Sequence, residues 1–146
     1  MKRLLTLFAI HCSLFTFCAS AQSVIKSEFL YEKASFPSCH ASTIVETQLG
    51  DLVCAYFGGT HEGHPDVGVW VSIKKKGADA WDAPILADDG VINGKPTACW
   101  NPVLFEIPDG ELWLFYKIAK TIQTWEGFMK KSRDGGKSWS DRKSVV

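Results

Sequence analysis

The sequence predicts an all-β fold, a β-propeller of which this chain holds about two blades. Three observations lead to this prediction. The chain carries an internal repeat of about sixty residues, each repeat divides into four short strand-like segments, and no stretch shows a sustained helical period of apolar residues. Repeats of this length built from four antiparallel strands are typical of propeller blades.

The repeat is read from matched positions in the two halves of the chain, such as Ser72 and Ser132, which are sixty residues apart. Aromatic and β-branched runs bounded by turn residues predict three strands in each unit. These are 41–47, 52–57 and 67–73 in the first unit and 103–107, 112–118 and 127–132 in the second. A fourth strand is expected near Trp81 and near Trp139.

The second turn of the second unit carries the most specific motif in the chain. Residues 132–139 read SRDGGKSW, which fits the pattern Ser-x-Asp-x-Gly-x-Ser-Trp. Ser132 and Asp134 can accept hydrogen bonds from turn amides, and Gly136 supplies a backbone conformation that other residues resist. Trp139 packs over the hairpin. These four residues are therefore predicted to be structural, and residues 72–81 look like a degenerate copy with Lys74 in place of the aspartate.

This turn resembles the Asp-box, or bacterial neuraminidase repeat (BNR), of sialidases and related propellers. The resemblance covers roughly residues 30 to 143 and includes FPSCHA at 36–41, GDLVCAYF at 50–57 and WNPV at 100–103. It implies a six-bladed propeller of the sialidase type, of which residues 36–146 would be the first two blades. It also implies an exo-acting glycosidase that hydrolyses terminal sialic acid or a related acidic sugar from a glycan. We expect the chain to be the beginning of a longer protein or a truncated one.

The N-terminus reads as an export signal. A short basic start, an apolar run from Leu4 to Phe17 and small residues at 19–21 predict a signal peptide over residues 1–21. The apolar run is too short to span a bilayer. Residues 22–35 would form a lead-in to the first blade, and the protein would be periplasmic or extracellular. A lipoprotein anchored through Cys18 is the alternative.

Charge and cysteine content exclude several classes of partner. Of the 16 basic and 16 acidic residues, Lys2 and Arg3 leave with the signal, so the mature chain has a small net negative charge. This charge argues against nucleic-acid binding. The remaining Cys39, Cys54 and Cys99 allow one disulfide at most. We expect a glycan partner, no membrane span, no cofactor and no metal, and nothing specifies an oligomeric state.

The candidate catalytic residues lie where an antiparallel blade would bring its loops to the face opposite the Asp-box turns. They are found in the loop FGGTHEGHPDVG at 57–68 and at the start of the first strand. A glycosidase acid needs a raised pKa, and Asp66 is the first choice for that role and Glu62 the second. His61 and His40 are further candidates for proton transfer. A metal-binding loop, a sugar-binding loop without chemistry and a plain solvated connection are the alternatives; the His-Glu-x-x-His spacing of zinc hydrolases is absent.

The candidate substrate-binding residues lie at the start of the second unit and in its long loop. The set comprises Trp100 and Trp125 as sugar-stacking rings, Asn101, and Lys117 as a contact for an acidic sugar. Sialidases of this type bind the substrate carboxylate with arginines, the first of them on the opening strand, where this chain has His40 instead. Two further hypotheses therefore stay open. One is a propeller hydrolase or lyase that acts on uronic-acid glycans, and the other is a carbohydrate-binding propeller without catalysis.

Overall fold

The computed structural model describes residues 23–145 and contains two four-stranded antiparallel sheets. Each sheet is a meander in which sequence neighbours pair, in the orders β1-β2-β3-β4 and β5-β6-β7-β8. A single 3₁₀ turn at Ile122–Thr124 is the helical element of the described residues. The strands are β1 (Ser38–Glu46), β2 (Leu52–Gly59), β3 (Gly68–Lys74), β4 (Ile85–Asp88), β5 (Cys99–Glu106), β6 (Leu112–Ile118), β7 (Glu126–Ser132) and β8 (Lys143–Ser144).

The predicted all-β propeller fold is confirmed, and each sheet is one blade. The first three strands of each blade lie close to their predicted positions, and β6 matches its prediction at both ends. The fourth strands were expected near Trp81 and Trp139, and this prediction is wrong by a few residues. Both tryptophans precede their strands, which begin at Ile85 and Lys143.

The hydrophobic core lies between the two blades. Along β2, Val53 and Ala55 face the second blade, and along β6, Leu112 and Leu114 face the first; all four are fully buried. This alternation follows from the two-residue period of a strand, which sends successive side chains to opposite faces of the sheet. Burial of these faces against each other holds the blades together.

A buried polar cluster also joins the blades. Asp88, at the end of β4, accepts hydrogen bonds from the Tyr116 hydroxyl at 2.6 Å and from Arg142 Nη1 at 3.0 Å, both on the second blade. Lys130 Nζ lies 3.4 Å from the same carboxylate. The Asp88 side chain is only 3% exposed, so its charge depends on these partners.

The lead-in covers the face of the first blade that points away from the second. Phe36 packs on Trp70 with ring centroids 4.7 Å apart, and Tyr31 packs on Tyr56 at 5.7 Å. Farther along, Glu28 forms an ion pair with Lys74 at 2.5 Å. The lead-in is therefore part of the folded unit.

The corresponding outer face of the second blade is exposed. Val103 and Phe105 on β5 remain 54% and 55% exposed. These strand positions alternate with the buried Leu104, as expected for a sheet with only one covered face.

The predicted signal peptide at residues 1–21 lies outside the described residues, so it stays a prediction. In residues 23–145 no helix is long and apolar enough to cross a membrane.

Candidate functional site

The candidate site occupies the end of the blades that carries the β2–β3 and β6–β7 loops, here named the loop face. The Asp-box turn lies at the opposite end, which is named the Asp-box face. Strand direction explains this arrangement, because successive connections of an antiparallel meander alternate between its two ends. The loop face brings together the β2–β3 loop at residues 60–67, named the histidine loop, with Trp100 and Trp125.

Asp66 closes the histidine loop through hydrogen bonds to its own first residue. Its Oδ1 accepts from the Thr60 amide at 3.0 Å, and its Oδ2 accepts from the Thr60 hydroxyl at 2.6 Å. His64 Nδ1 lies 2.7 Å from Oδ1. The carboxylate therefore has three donors, although the side chain is 48% exposed.

These contacts correct the predicted protonation of Asp66. The Thr60 hydroxyl, followed by the Thr60 amide and His64, lowers the pKa of Asp66 to about 2. Hydrogen bonds to the charged form favour that form. The expectation of a raised pKa at Asp66 is wrong for the described residues, which leave this carboxylate exposed and ionised.

The histidine loop presents two imidazoles. His61 and His64 lie with ring centroids 5.1 Å apart, edge to face. His61 Nδ1 donates to the Glu62 carbonyl at 3.0 Å, while Glu62 itself is exposed. Residues 23–145 contain no group of three or more histidine, cysteine or acidic side chains placed to hold a metal ion.

Trp100 forms the floor of the loop face. It is 7% exposed, its Nε1 donates to the Ala119 carbonyl at 3.0 Å, and its ring packs against Phe57 and Trp125. Gly63 lies directly over it, since a Cβ there would come within 3.2 Å of the indole. Trp100 is thus nearly buried in the described residues and offers little ring surface to a sugar. Its predicted role in sugar stacking stays a prediction.

Trp125 is the more accessible of the two rings. It is half-buried, and Lys117 Nζ lies 4.5 Å from the ring centroid, a cation–π arrangement. Its indole Nε1 is buried and has no hydrogen-bond partner in the described residues. Buried donors are usually paired, so this unpaired nitrogen is an exception within the described residues.

The first strand of each blade is distorted at the same place. Ala41 has a φ of 53° and Asn101 a φ of 38°, each in a break of strand register. The two positions are sixty residues apart, so the distortion belongs to the repeat. Bulges with left-handed residues re-aim neighbouring side chains and occur near binding sites.

His40 precedes the first of these bulges and is exposed, with its ring centroid 5.6 Å from that of Phe57. It borders an apolar cleft of about 270 Å³ that Tyr31, Cys39 and Tyr56 also line. Asn101 borders a smaller cleft of about 160 Å³ together with Lys117. These positions lie on the blades as the sequence predicted, and their roles remain predictions.

The Asp-box has the internal hydrogen bonds that its residue types suggest. Ser132 Oγ donates to Asp134 at 2.8 Å and accepts from the Gly136 amide at 2.8 Å. Asp134 also accepts from the Ser138 amide and hydroxyl at 2.9 and 2.6 Å. Trp139 packs partly buried against the core between the blades. In this arrangement the Asp134 carboxylate accepts its hydrogen bonds from residues of its own turn.

Neither arginine of the described residues is free. Arg133 Nε donates to Glu111 at 2.7 Å on the Asp-box face, and Arg142 is held by Asp88 and by the Val91 carbonyl. Lys117, near the end of β6, and the exposed Lys120, in the β6–β7 loop, are cations of the loop face that could meet an acidic sugar.

His64 lies in the loop that the sequence singles out, but the residue pattern did not identify it as a site residue. Its partner Asp66 is only two residues away, across Pro65. This short His-Pro-Asp spacing is the signal that could have indicated a paired histidine and carboxylate.

Comparison with known proteins gives the family. The family model described as a BNR repeat-like domain matches residues 50–146, which is more than half of the chain. The chain belongs to this BNR repeat-like domain family. No curated protein matches the sequence.

Solved structures share the fold at low sequence identity. The Hadza microbial sialidase Hz136 is 15% identical with a TM-score of 0.65, and the match covers 73% of this chain and 26% of that one. A protein of unknown function from Dyadobacter fermentans DSM 18053 is 16% identical with a TM-score of 0.58, covering 77% and 38%. The endo-arabinase from Bacteroides thetaiotaomicron VPI-5482 is 16% identical with a TM-score of 0.54, covering 80% and 47%.

The matches cover only part of each of these structures. The chain spans between about a quarter and about half of the length of these structures. The resemblance to sialidase-type BNR propellers is confirmed for the repeat family and the fold.

Proposed function

We propose that this chain is part of an exported glycoside hydrolase that releases terminal sialic acid or a related acidic sugar from a glycan. The observation that carries the proposal is the loop face, where ionisable side chains lie at the same end of the blades as the half-buried Trp125. His40, His64 and Asp66 supply groups for proton transfer and hydrogen bonding, and Trp125 supplies a ring. The shared fold with a sialidase supports the proposal, while the shared fold with an endo-arabinase means that the fold does not choose the substrate.

Lys117 and Trp125 are the proposed contacts for the acidic sugar. A sugar ring stacks on an aromatic side chain through its apolar C–H face. The ammonium of Lys117 lies over the ring, 4.5 Å from its centroid, so it would move off that face when a sugar stacks there and would then contact the sugar carboxylate. Hydrogen bonds to charged groups are stronger than neutral ones, so this pair would favour an acidic over a neutral sugar.

The test compares lysines on the two faces of the full-length protein. Lys117→Met should lower kcat/KM on sialosides about tenfold or more, the effect of one charged hydrogen bond. It should change turnover of the matching neutral glycosides far less. Lys137→Met serves as the control, because Lys137 is an exposed lysine in the Asp-box turn.

Three results would contradict the proposal. A full-length protein that cleaves none of a panel of sialosides and related glycosides is not a hydrolase of this kind. Equal loss in the two lysine variants would remove Lys117 from substrate binding. Equal loss on acidic and neutral sugars would remove its role in specificity.

A second candidate is a propeller that acts on uronic-acid glycans by hydrolysis or elimination. His40 favours it, because an exposed imidazole beside the cleft with Tyr31 and Tyr56 is a group that can accept or donate a proton. Activity on uronic-acid glycans but not on sialosides, abolished in His40→Ala, would support this candidate. Formation of an unsaturated product would identify elimination. Retention on a glycan array without any product would instead support a binding propeller.

A further inference from the structure

We propose that His64 delivers the proton to the leaving group in the glycoside cleavage, and that Asp66 is its positioning residue. This inference rests on the proposed function and deepens it. It transfers the acid role from the carboxylate that the sequence favoured to the imidazole beside it.

Asp66 is bound in this structure as a hydrogen-bond acceptor. All three of its hydrogen-bond partners, the Thr60 amide, the Thr60 hydroxyl and His64 Nδ1, act as donors to an ionised carboxylate. A protonated Asp66 would carry a hydrogen on one oxygen and would lose one of these hydrogen bonds. The residue is thus built as an acceptor.

The contact with Asp66 also determines which nitrogen of the His64 ring carries a proton. A carboxylate only accepts, so the 2.7 Å contact assigns a proton to His64 Nδ1. The Asp66 amide would donate to the same nitrogen at 3.4 Å in the other tautomer, and the shorter, charged contact is the stronger of the two. Nε2 is then the nitrogen that gains and loses the exchangeable proton. The same use of one ring nitrogen to fix the other is general in proton transfer by histidine.

The backbone of His64 is held by hydrogen bonds on both sides. The His64 amide donates to the His61 carbonyl at 3.0 Å, and the His64 carbonyl accepts from the Val67 amide at 3.0 Å. Gly63, with a φ of 80°, lets the turn lie on Trp100. The side chain is 40% exposed, which leaves it accessible to a substrate on the loop face.

Two other titratable groups of the loop compete for the role. His61 contacts His64 by its ring edge, and its Nδ1 is fixed only by the neighbouring Glu62 carbonyl. Glu62 is exposed to solvent. Asp66 and His61 are the titratable side chains in contact with His64 in the described part of the chain.

The proposed step balances as an ordinary hydrolysis. The proton on His64 Nε2 passes to the glycosidic oxygen while the bond from that oxygen to the anomeric carbon breaks. The electron pair of the bond stays on the leaving oxygen, which becomes a hydroxyl. Water supplies the oxygen that finally bonds to the anomeric carbon, and the proton that it releases restores the imidazolium.

The experiment measures the dependence of kcat/KM on the leaving group in the full-length protein. Glycosides with alkyl leaving groups need the acid, whereas nitrophenyl glycosides depart without it. His64→Gln should therefore lose about 100-fold or more on the alkyl substrates, the usual size of general-acid catalysis. The loss on nitrophenyl substrates should be far smaller. Added imidazole should restore part of the alkyl-glycoside activity in His64→Ala.

Asp66→Asn and Thr60→Val separate positioning from loop closure. Asp66→Asn should show the same kind of leaving-group dependence as His64→Gln, with a smaller loss. Thr60→Val removes the hydroxyl bonded to Oδ2 and leaves the His64 contact at Oδ1. Thr60→Val should keep the leaving-group dependence of the wild type. If it shows the same leaving-group dependence as His64→Gln, Asp66 serves only to shape the loop and does not position His64 for proton transfer.

The outcomes separate this inference from the proposed function. A wild-type protein that cleaves no glycoside overturns both. An active enzyme in which His64→Gln keeps the wild-type leaving-group dependence overturns the assignment of His64 alone. If Glu62→Gln or His61→Gln, rather than His64→Gln, loses activity mainly on the alkyl glycosides, the acid role belongs to that residue.

Discussion

Gly136 lies where the Asp-box turn of the second blade touches the first blade. It has a φ of 93° and is buried, and a Cβ built there would lie 3.3 Å from Val53 and 3.5 Å from Ile73. The neighbouring Gly135 also has a positive φ, 72°, but its nearest atom is the end of Lys75 at 4.0 Å. A substitution at Gly135 therefore tests backbone strain alone, whereas a substitution at Gly136 tests strain together with crowding.

We expect Gly135→Ala to cost about 1 kcal/mol, the price of a left-handed alanine. Gly136→Ala should cost about 2–4 kcal/mol, because it adds overpacking between the blades. Urea unfolding of both variants, followed by tryptophan fluorescence, measures the difference. Equal losses would mean that the core gives way to the added methyl group without cost.

The degenerate Asp-box of the first blade receives a carboxylate from outside its own turn. Lys74 stands where the second blade has Asp134, and Glu28 of the lead-in pairs with it at 2.5 Å. Glu28 also accepts from the Trp81 indole at 3.2 Å and pairs with Lys26. The lead-in thus ties down a turn that has lost its internal acceptor.

This arrangement predicts an acid-sensitive contact. Lys26 and then Lys74 lower the pKa of Glu28 from 4.5 to about 2. A lowered carboxylate pKa stabilises the folded state above the unfolded-state value, and this stabilisation is lost as the pH falls from about 4.5 towards about 2. Glu28→Gln should lower the Tm by a few degrees at neutral pH and show less further loss on acidification. Thermal melts at several pH values test this, and parallel curves for the two proteins would refute it.

Strand positions were predictable where the apolar pattern and the turn residues agree. β6 alternates strictly between two flanking turns, so its ends were found from the sequence. The fourth strands were misplaced because Trp81 and Trp139 look like strand residues. Trp139 instead packs against the core from the loop before β8, a tertiary contact that local preference does not encode.

The site was predictable as a face of the blades and less so as a set of contacts. The alternation of connections placed the histidine loop, Trp100 and Trp125 at one end. Burial of Trp100 depends on Phe57, which is distant in sequence. The hydrogen bonds that the Asp66 carboxylate accepts from Thr60 form only because the loop folds back on itself. Neither contact follows from residue type or spacing.

For the whole molecule, the Asp88 cluster is a buried polar connection between the blades. Its partners Tyr116 and Arg142 are 28 and 54 residues away in sequence, so no local pattern reveals it. The carboxylate compensates Lys130 and Arg142 in a buried position.

Asp88→Asn should lower the free energy of unfolding by about 3–5 kcal/mol, because it leaves two cations without their buried anion. Tyr116→Phe removes a single hydrogen bond from the same carboxylate and should cost about 1–2 kcal/mol. Urea unfolding of both variants gives the comparison. A loss in Asp88→Asn no larger than that in Tyr116→Phe would show that the cations find other partners.

The meander order of the sheets also bears on the rate at which the blades fold. Strands within a blade are sequence neighbours, whereas Val53 and Leu112 meet only when the two blades dock. Contacts between sequence neighbours form faster than distant ones, so each blade should be structured in the folding transition state before docking is complete. Gly136 lies at the docking surface. Its replacement by alanine should then act chiefly by speeding unfolding, with little change in the folding rate.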